Sequence, residues 1–143
     1  MQKNRRYCLV VILPQVSFEK LGEICTKYNI LNPKNQNYPN VSDIIRMMLY
    51  YQIRLNKVKC LSPVDTSHRF KQLLDSIGFD KIEFKPMKDD IGRDKCEERR
   101  TIRVTDYLHE SVLALSDLLK VDYGDIVRCC ADFIITAYNG GIK

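Results

Sequence analysis

One order of hydrophobic patterns occurs twice in this chain. A short strand pattern followed by two helical patterns spans residues 7–55 and again 99–139. Neither unit is long enough to cover its own apolar helix faces, because short chains bury too small a share of their surface. Pairing the two units, within one chain or between chains, solves that problem. This requirement constrains the fold more than any single motif does.

In the first unit, Tyr7 to Leu13 (YCLVVIL) is a dense β-branched and aliphatic run closed by Pro14, which reads as a strand. Ser17 is a helix-capping residue type, and Phe18, Leu21, Ile24, Cys25 and Tyr28 follow at helical spacing. Asn29 to Asn40, with two prolines and five asparagines, reads as a loop. Ser42-Asp43 looks like a second helix start, with Ile44, Ile45, Met48, Leu49 and Ile53 as its apolar side and a basic tail from Arg54 to Lys59.

A connector follows. Leu61-Ser62-Pro63 breaks the pattern, and Asp65 or Thr66 can cap a short helix through Phe70, Leu73, Leu74 and Ile77 that Gly78 ends. Lys81 to Phe84 alternates, as a strand does, and Met87 to Glu98 is a charged linker. The second unit opens on Arg99 to Thr105 (RRTIRVT), which alternates polar and apolar as a half-buried strand should. Asp106 can cap a helix carried by Leu108, Val112, Leu115 and Leu119. A turn at Val121 to Gly124 leads to a helix from Asp125, apolar on more than one side and ended by Gly140-Gly141. A helix of that kind is usually buried by a partner as well as by its own unit. The expected layout is therefore residues 1–60, a connector at 61–98, and residues 99–143, mainly α with short β-strands.

Charge is unevenly spread over the net +5. Residues 1–60 carry ten basic and three acidic side chains, 61–98 seven and nine, and 99–143 six of each. The N-terminal part is thus the electropositive one, which favours polyanions without choosing among them. No apolar run approaches the ~20 residues of a membrane helix, and the polar start does not resemble a secretory signal. The six cysteines form no C-x-x-C pair, so buried or free thiols in a reducing, cytoplasmic compartment are expected. A zinc site would need distant cysteines to converge with His68 or His109. No metal or cofactor is expected. There is no glycine-rich phosphate loop, H-E-x-x-H or G-x-S-x-G. His109-Glu110 reads as a surface pair rather than a catalytic dyad.

Residues 99–139 resemble a ribbon–helix–helix domain of the Arc/MetJ type. The strand Arg99-Arg100-Thr101-Ile102-Arg103-Val104 and the helix opening Asp125-Ile126-Val127-Arg128 carry the likeness. The first unit matches more loosely, through Leu9 to Leu13, Pro14 and Asn40-Val41-Ser42-Asp43-Ile44-Ile45-Arg46. The resemblance implies an antiparallel ribbon that enters the DNA major groove, one face reading bases and the other packed on helices. If Ile102 and Val104 face the core, Arg99, Thr101 and Arg103 face outward as base readers. The helix starts near Ser42 and Gly124, with Arg5 and Arg6, are the implied phosphate contacts.

Other readings stay open. Arg99, Thr101 and Arg103 also suit an ordinary solvated strand face, and Arg5 and Arg6 a solvated terminus. Tyr50 and Tyr51 suit an interface, or a stacking platform for single strands. Cys8, Val10 and Ile12, outward if Leu9, Val11 and Leu13 are core, are poor base readers. They pack on residues 61–98, leaving two chains to build a C-terminal ribbon, or they meet DNA by shape and methyl contacts. Asp122 would repel a phosphate at the second helix start. The leading expectation is a non-enzymatic protein that binds double-stranded DNA as a homodimer or higher oligomer. Its role would be a transcriptional repressor or an accessory factor at an origin or transfer site of a mobile element. The alternative is a protein-binding module, an antitoxin or virus-encoded inhibitor, on the same scaffold.

Overall fold

The β-branched run near the start of the chain pairs with the alternating run some ninety residues later. In the computed structural model, which describes residues 7–27, 31–32, 35–39, 41–58, 68–86 and 97–140, strands β1 (Tyr7–Pro14) and β4 (Glu97–Val104) form a two-stranded antiparallel ribbon. Its register runs from Tyr7 opposite Val104 to Pro14 opposite Glu97, with Val10 facing Thr101 near the middle. Period-two geometry then splits the ribbon into two faces. Leu9, Val11, Leu13, Ile102 and Val104 are buried on one, while Cys8, Arg99, Thr101 and Arg103 are exposed on the other.

Helices cover the inner face. Helix α1 (Gln15–Lys27) begins directly after Pro14, and α2 spans Val41–Leu55. Helix α3 (His68–Ser76) and a single 3-10 turn (Phe79–Lys81) form the described part of the connector. Helices α4 (Asp106–Leu119) and α5 (Tyr123–Asn139) complete the second unit. The protein is thus mainly helical, with one short antiparallel ribbon and a small hairpin of β2 (Leu31–Asn32) and β3 (Asn35–Pro39). No helix among the described residues is long and apolar enough to cross a membrane.

The two units interleave. Helix α1 packs on α2 and α5, while α2 also meets α4. Ile44, Ile45, Met48, Leu49 and Ile53 of α2 share one core with Ile126, Val127, Cys130 and Ile134 of α5. Each large aliphatic side chain so buried contributes roughly 1.5–3 kcal/mol. The many-sided apolarity of α5 is therefore satisfied inside the chain, by β1, α1, α2 and α4.

The described part of the connector docks on α2 and α5. Phe79 is fully buried, edge-on to both Tyr51 of α2 and Phe133 of α5. Gln52 Nε2 donates to the Phe79 carbonyl at 2.9 Å, and Tyr51 Oη donates to Asp75 at 2.6 Å. Gly78, at φ 76°, makes the left-handed turn between α3 and the 3-10 turn. That conformation costs an L side chain energy that glycine does not pay.

Several expectations need correcting. Lys81 to Phe84 is not a strand: Phe79–Lys81 winds into the 3-10 turn that seats Phe79, and residues 82–86 run on without a strand partner. No described connector strand lies beside β1, and Phe79 and Lys85 of the described connector meet α2 and α5. A C-terminal ribbon from two chains is not needed, since β4 takes β1 as its partner. Within Asn29 to Asn40, the described residues include the β2–β3 hairpin rather than loop alone. Thr105, not Asp106, caps α4: its side chain accepts from the Leu108 N–H at 3.3 Å. Helices α1, α2 and α5 start two, one and two residues earlier than Ser17, Ser42 and Asp125, respectively, so these residues lie inside first turns. Glu97 and Glu98 belong to β4, not to the linker. Arg5, Arg6, Cys60, Leu61-Ser62-Pro63, Asp65, Thr66, Met87 to Cys96 and Gly141 lie outside the described residues.

Candidate nucleic-acid interface

The outer face of the ribbon is built by alternation alone. On β4 the inner positions Ile102 and Val104 are held in the core, so Arg99, Thr101 and Arg103 project together on the other side and are exposed. Across the ribbon they face Ile12, Val10 and Cys8, respectively. Cys8 is exposed, whereas Val10 and Ile12 are half-buried. One strand therefore presents guanidinium and hydroxyl groups, and its neighbour presents a thiol and two aliphatic side chains. Arg100 points the other way. Its guanidinium lies over the Phe18 ring, 4.2 Å from the centroid, and pairs with Glu98.

Two arginines clamp this ribbon from behind. Arg46 of α2 donates through Nε to the Arg103 carbonyl at 2.8 Å. Arg128 of α5 donates through Nε to the Ile12 carbonyl at 3.1 Å. Each arginine thus reaches the strand that belongs to the other unit. Each is also gripped by an aspartate three residues earlier: Asp43 at 2.5 Å and Asp125 at 2.6 Å. Ile12 lies two residues beyond Val10, and Arg103 two beyond Thr101, so the clamps are related by a pseudo-twofold axis through the Val10–Thr101 pair. The signal was present in the sequence as Asp-x-x-Arg at the start of both second helices. Both runs stand out in the sequence, but that their arginines bond the Arg103 and Ile12 carbonyls does not.

The clamps also fix where the helix starts sit. The first turn of α2, which holds half-buried Ser42, lies beside β4. The first turn of α5, which holds Gly124, lies beside β1, where the Val10 N–H donates to Tyr123 Oη at 3.2 Å. A Cβ on Gly124 would come within 3.4 Å of the Arg128 guanidinium. The expected base readers and phosphate contacts at Ser42 and Gly124 thus occupy the face and flanks of one ribbon. Free backbone N–H groups at a helix start favour anions. Asp43 and Asp125 near those starts are bound by arginines, and Asp122 is exposed beside Gly124.

Other candidates lie elsewhere. Tyr51 is occupied by Phe79 and Asp75, and Tyr50 is half-buried against the core. Tyr7 stacks on His109 with ring centroids 4.6 Å apart, at one end of the ribbon. The described cysteines are unbridged. Burial pushes the Cys129 and Cys130 thiols up, which keeps them protonated and unreactive at neutral pH. Among the described residues no group of three or more His, Cys, Asp or Glu is placed to hold a metal ion. The side chain of His68 falls outside the described residues. In comparisons with protein-family models, curated proteins and solved structures, nothing matches this chain.

Proposed function

We propose that the chain is a ribbon–helix–helix protein whose two units pair with each other, and that it binds double-stranded DNA through the ribbon. The observation that carries this reading is the row Arg99, Thr101 and Arg103, exposed at alternate positions of a two-stranded antiparallel ribbon. A ribbon of this width fits the major groove, and arginine grips guanine through two hydrogen bonds while threonine donates, accepts or touches a thymine methyl. The neighbouring helix starts at Ser42 and Gly124 and the net charge of +5 supply the phosphate side of the interaction. Function then follows from occupancy, as a repressor or as a marker of an origin or transfer site.

A titration of the protein with duplex DNA over a salt series tests the reading. The association constant is expected to fall linearly with salt on logarithmic axes, with a slope of about −0.9 per phosphate contacted. No binding at low salt, or binding indifferent to salt, would count against it. A second reading has its own support. Cys8, Val10 and Ile12 make half of the outer face apolar, and Tyr107, Leu113 and Leu118 are exposed on α4. Those features suit a protein partner, whose apolar interface would respond little to salt.

A further inference from the structure

Because the clamps are duplicated and the reading face is not, we infer that the DNA site has no twofold symmetry and that β4 supplies its hydrogen-bonded base readout. This inference rests on the DNA-binding reading above. The pseudo-twofold axis through Val10 and Thr101 relates Arg103 to Ile12 and Arg99 to Cys8. In a ribbon made of two identical strands, symmetry-related positions would carry identical side chains, and a palindromic site would follow. Here each exchange replaces an arginine by a group with little or no capacity to bond a base edge. At the axis itself, threonine faces valine.

The arrangement sets what each part of the site contains. Arg99 and Arg103 are four residues apart on one strand. At ~3.3 Å per residue they stand roughly 13 Å apart. That matches about four base pairs at ~3.4 Å each. Two guanines at about that separation are the specified positions. The positions facing Cys8 and Ile12 accept thymine through its methyl group or are weakly specified, since aliphatic side chains recognise no other base feature in the groove. Val10 and Ile12 are only half-buried, so their aliphatic groups are available for such contact.

Selection of the full chain on a randomised duplex pool tests the inference. The enriched motif is expected to lack twofold symmetry, with guanine fixed at two positions about four base pairs apart. Arg103→Ala should relax one guanine by roughly tenfold or more and leave the other. The triple variant Cys8→Arg, Val10→Thr, Ile12→Arg makes the two outer faces equivalent, so its enriched motif should become palindromic. That variant leaves the buried positions Leu9, Val11 and Leu13 untouched, and its circular dichroism checks that it is folded. A palindromic motif from the wild type would overturn the inference and leave DNA binding standing. Failure of the wild type to enrich any motif at low salt would overturn the DNA-binding reading and the inference with it.

Discussion

The two strand–helix–helix units match in what they bury and differ in what they expose. Asp43–Arg46 and Asp125–Arg128 make the same clamp onto the opposite strand, and Val11 and Ile102, like Leu13 and Val104, fill matching core positions. On the outer face, Arg99, Thr101 and Arg103 answer to Cys8, Val10 and Ile12. Duplicated core with unlike surface is what results when packing fixes one face of a strand and leaves the other face free to vary. Alternation makes the two faces independent, so one can vary while the other is held.

Even the matching clamps are not equally buried, and that gives the largest expected effect. The Arg128 and Asp125 side chains are 11% and 2% exposed, against 13% and 25% for Arg46 and Asp43. Removing one partner of a buried pair strands the other charge, at a cost of about 3–5 kcal/mol. Arg128→Met should approach that loss in urea unfolding, while Arg46→Met, whose aspartate can be hydrated, should lose about 1 kcal/mol. Equal losses would mean that the clamps are equivalent and the burial difference is immaterial.

The shared ribbon makes a second test. Ile102 is buried against Leu9 across the ribbon. Truncating a buried Ile to Ala costs about 2–5 kcal/mol. Ile102→Ala should therefore shift the whole chain to a lower urea midpoint in one transition, seen alike by fluorescence and circular dichroism. Separate transitions for the two units would break the picture of an interleaved core.

The smallest effect sits in the connector, which has no duplicate. The Tyr51 hydroxyl, then Lys71, holds the Asp75 carboxyl below its ordinary range. Burial, then Asp75, pushes the Tyr51 phenol up. A depressed carboxyl contributes stability above its unfolded pKa, and that contribution disappears as pH falls through the folded value. The docking of α3 should thus weaken in acid, and again at strongly alkaline pH where the Tyr51 phenol, raised in the folded state, would have to ionise. Tyr51→Phe should cost roughly 1 kcal/mol at neutral pH and flatten that acid dependence, read from urea midpoints at several pH values.

Much of this fold was legible in the sequence because the cores of both units follow simple periods. The period-two run at 99–105 gave the outward side of Arg99, Thr101 and Arg103, and helical spacing gave the buried residues of α2. The partner of β4 was not legible, since strand pairing depends on long-range register and neither strand carries a local mark of its mate. The Lys81 to Phe84 pattern misled for a similar reason. Alternation there reflects Ile82 and Phe84 packed against the core, not a strand partner. The arginine clamps were visible as a repeated spacing, but their targets are backbone carbonyls, which sequence does not distinguish.

The claim that β4 alone supplies polar base readout is tested most directly by comparing two symmetry-related positions. Arg103→Ala and Ile12→Ala would be titrated beside wild type against the tightest-binding duplex, at one salt concentration. The account predicts that Arg103→Ala weakens binding by roughly tenfold or more, as loss of a bidentate guanine contact should, while Ile12→Ala changes it by no more than about threefold. Equal effects of the two substitutions, or wild-type affinity for Arg103→Ala, would contradict it.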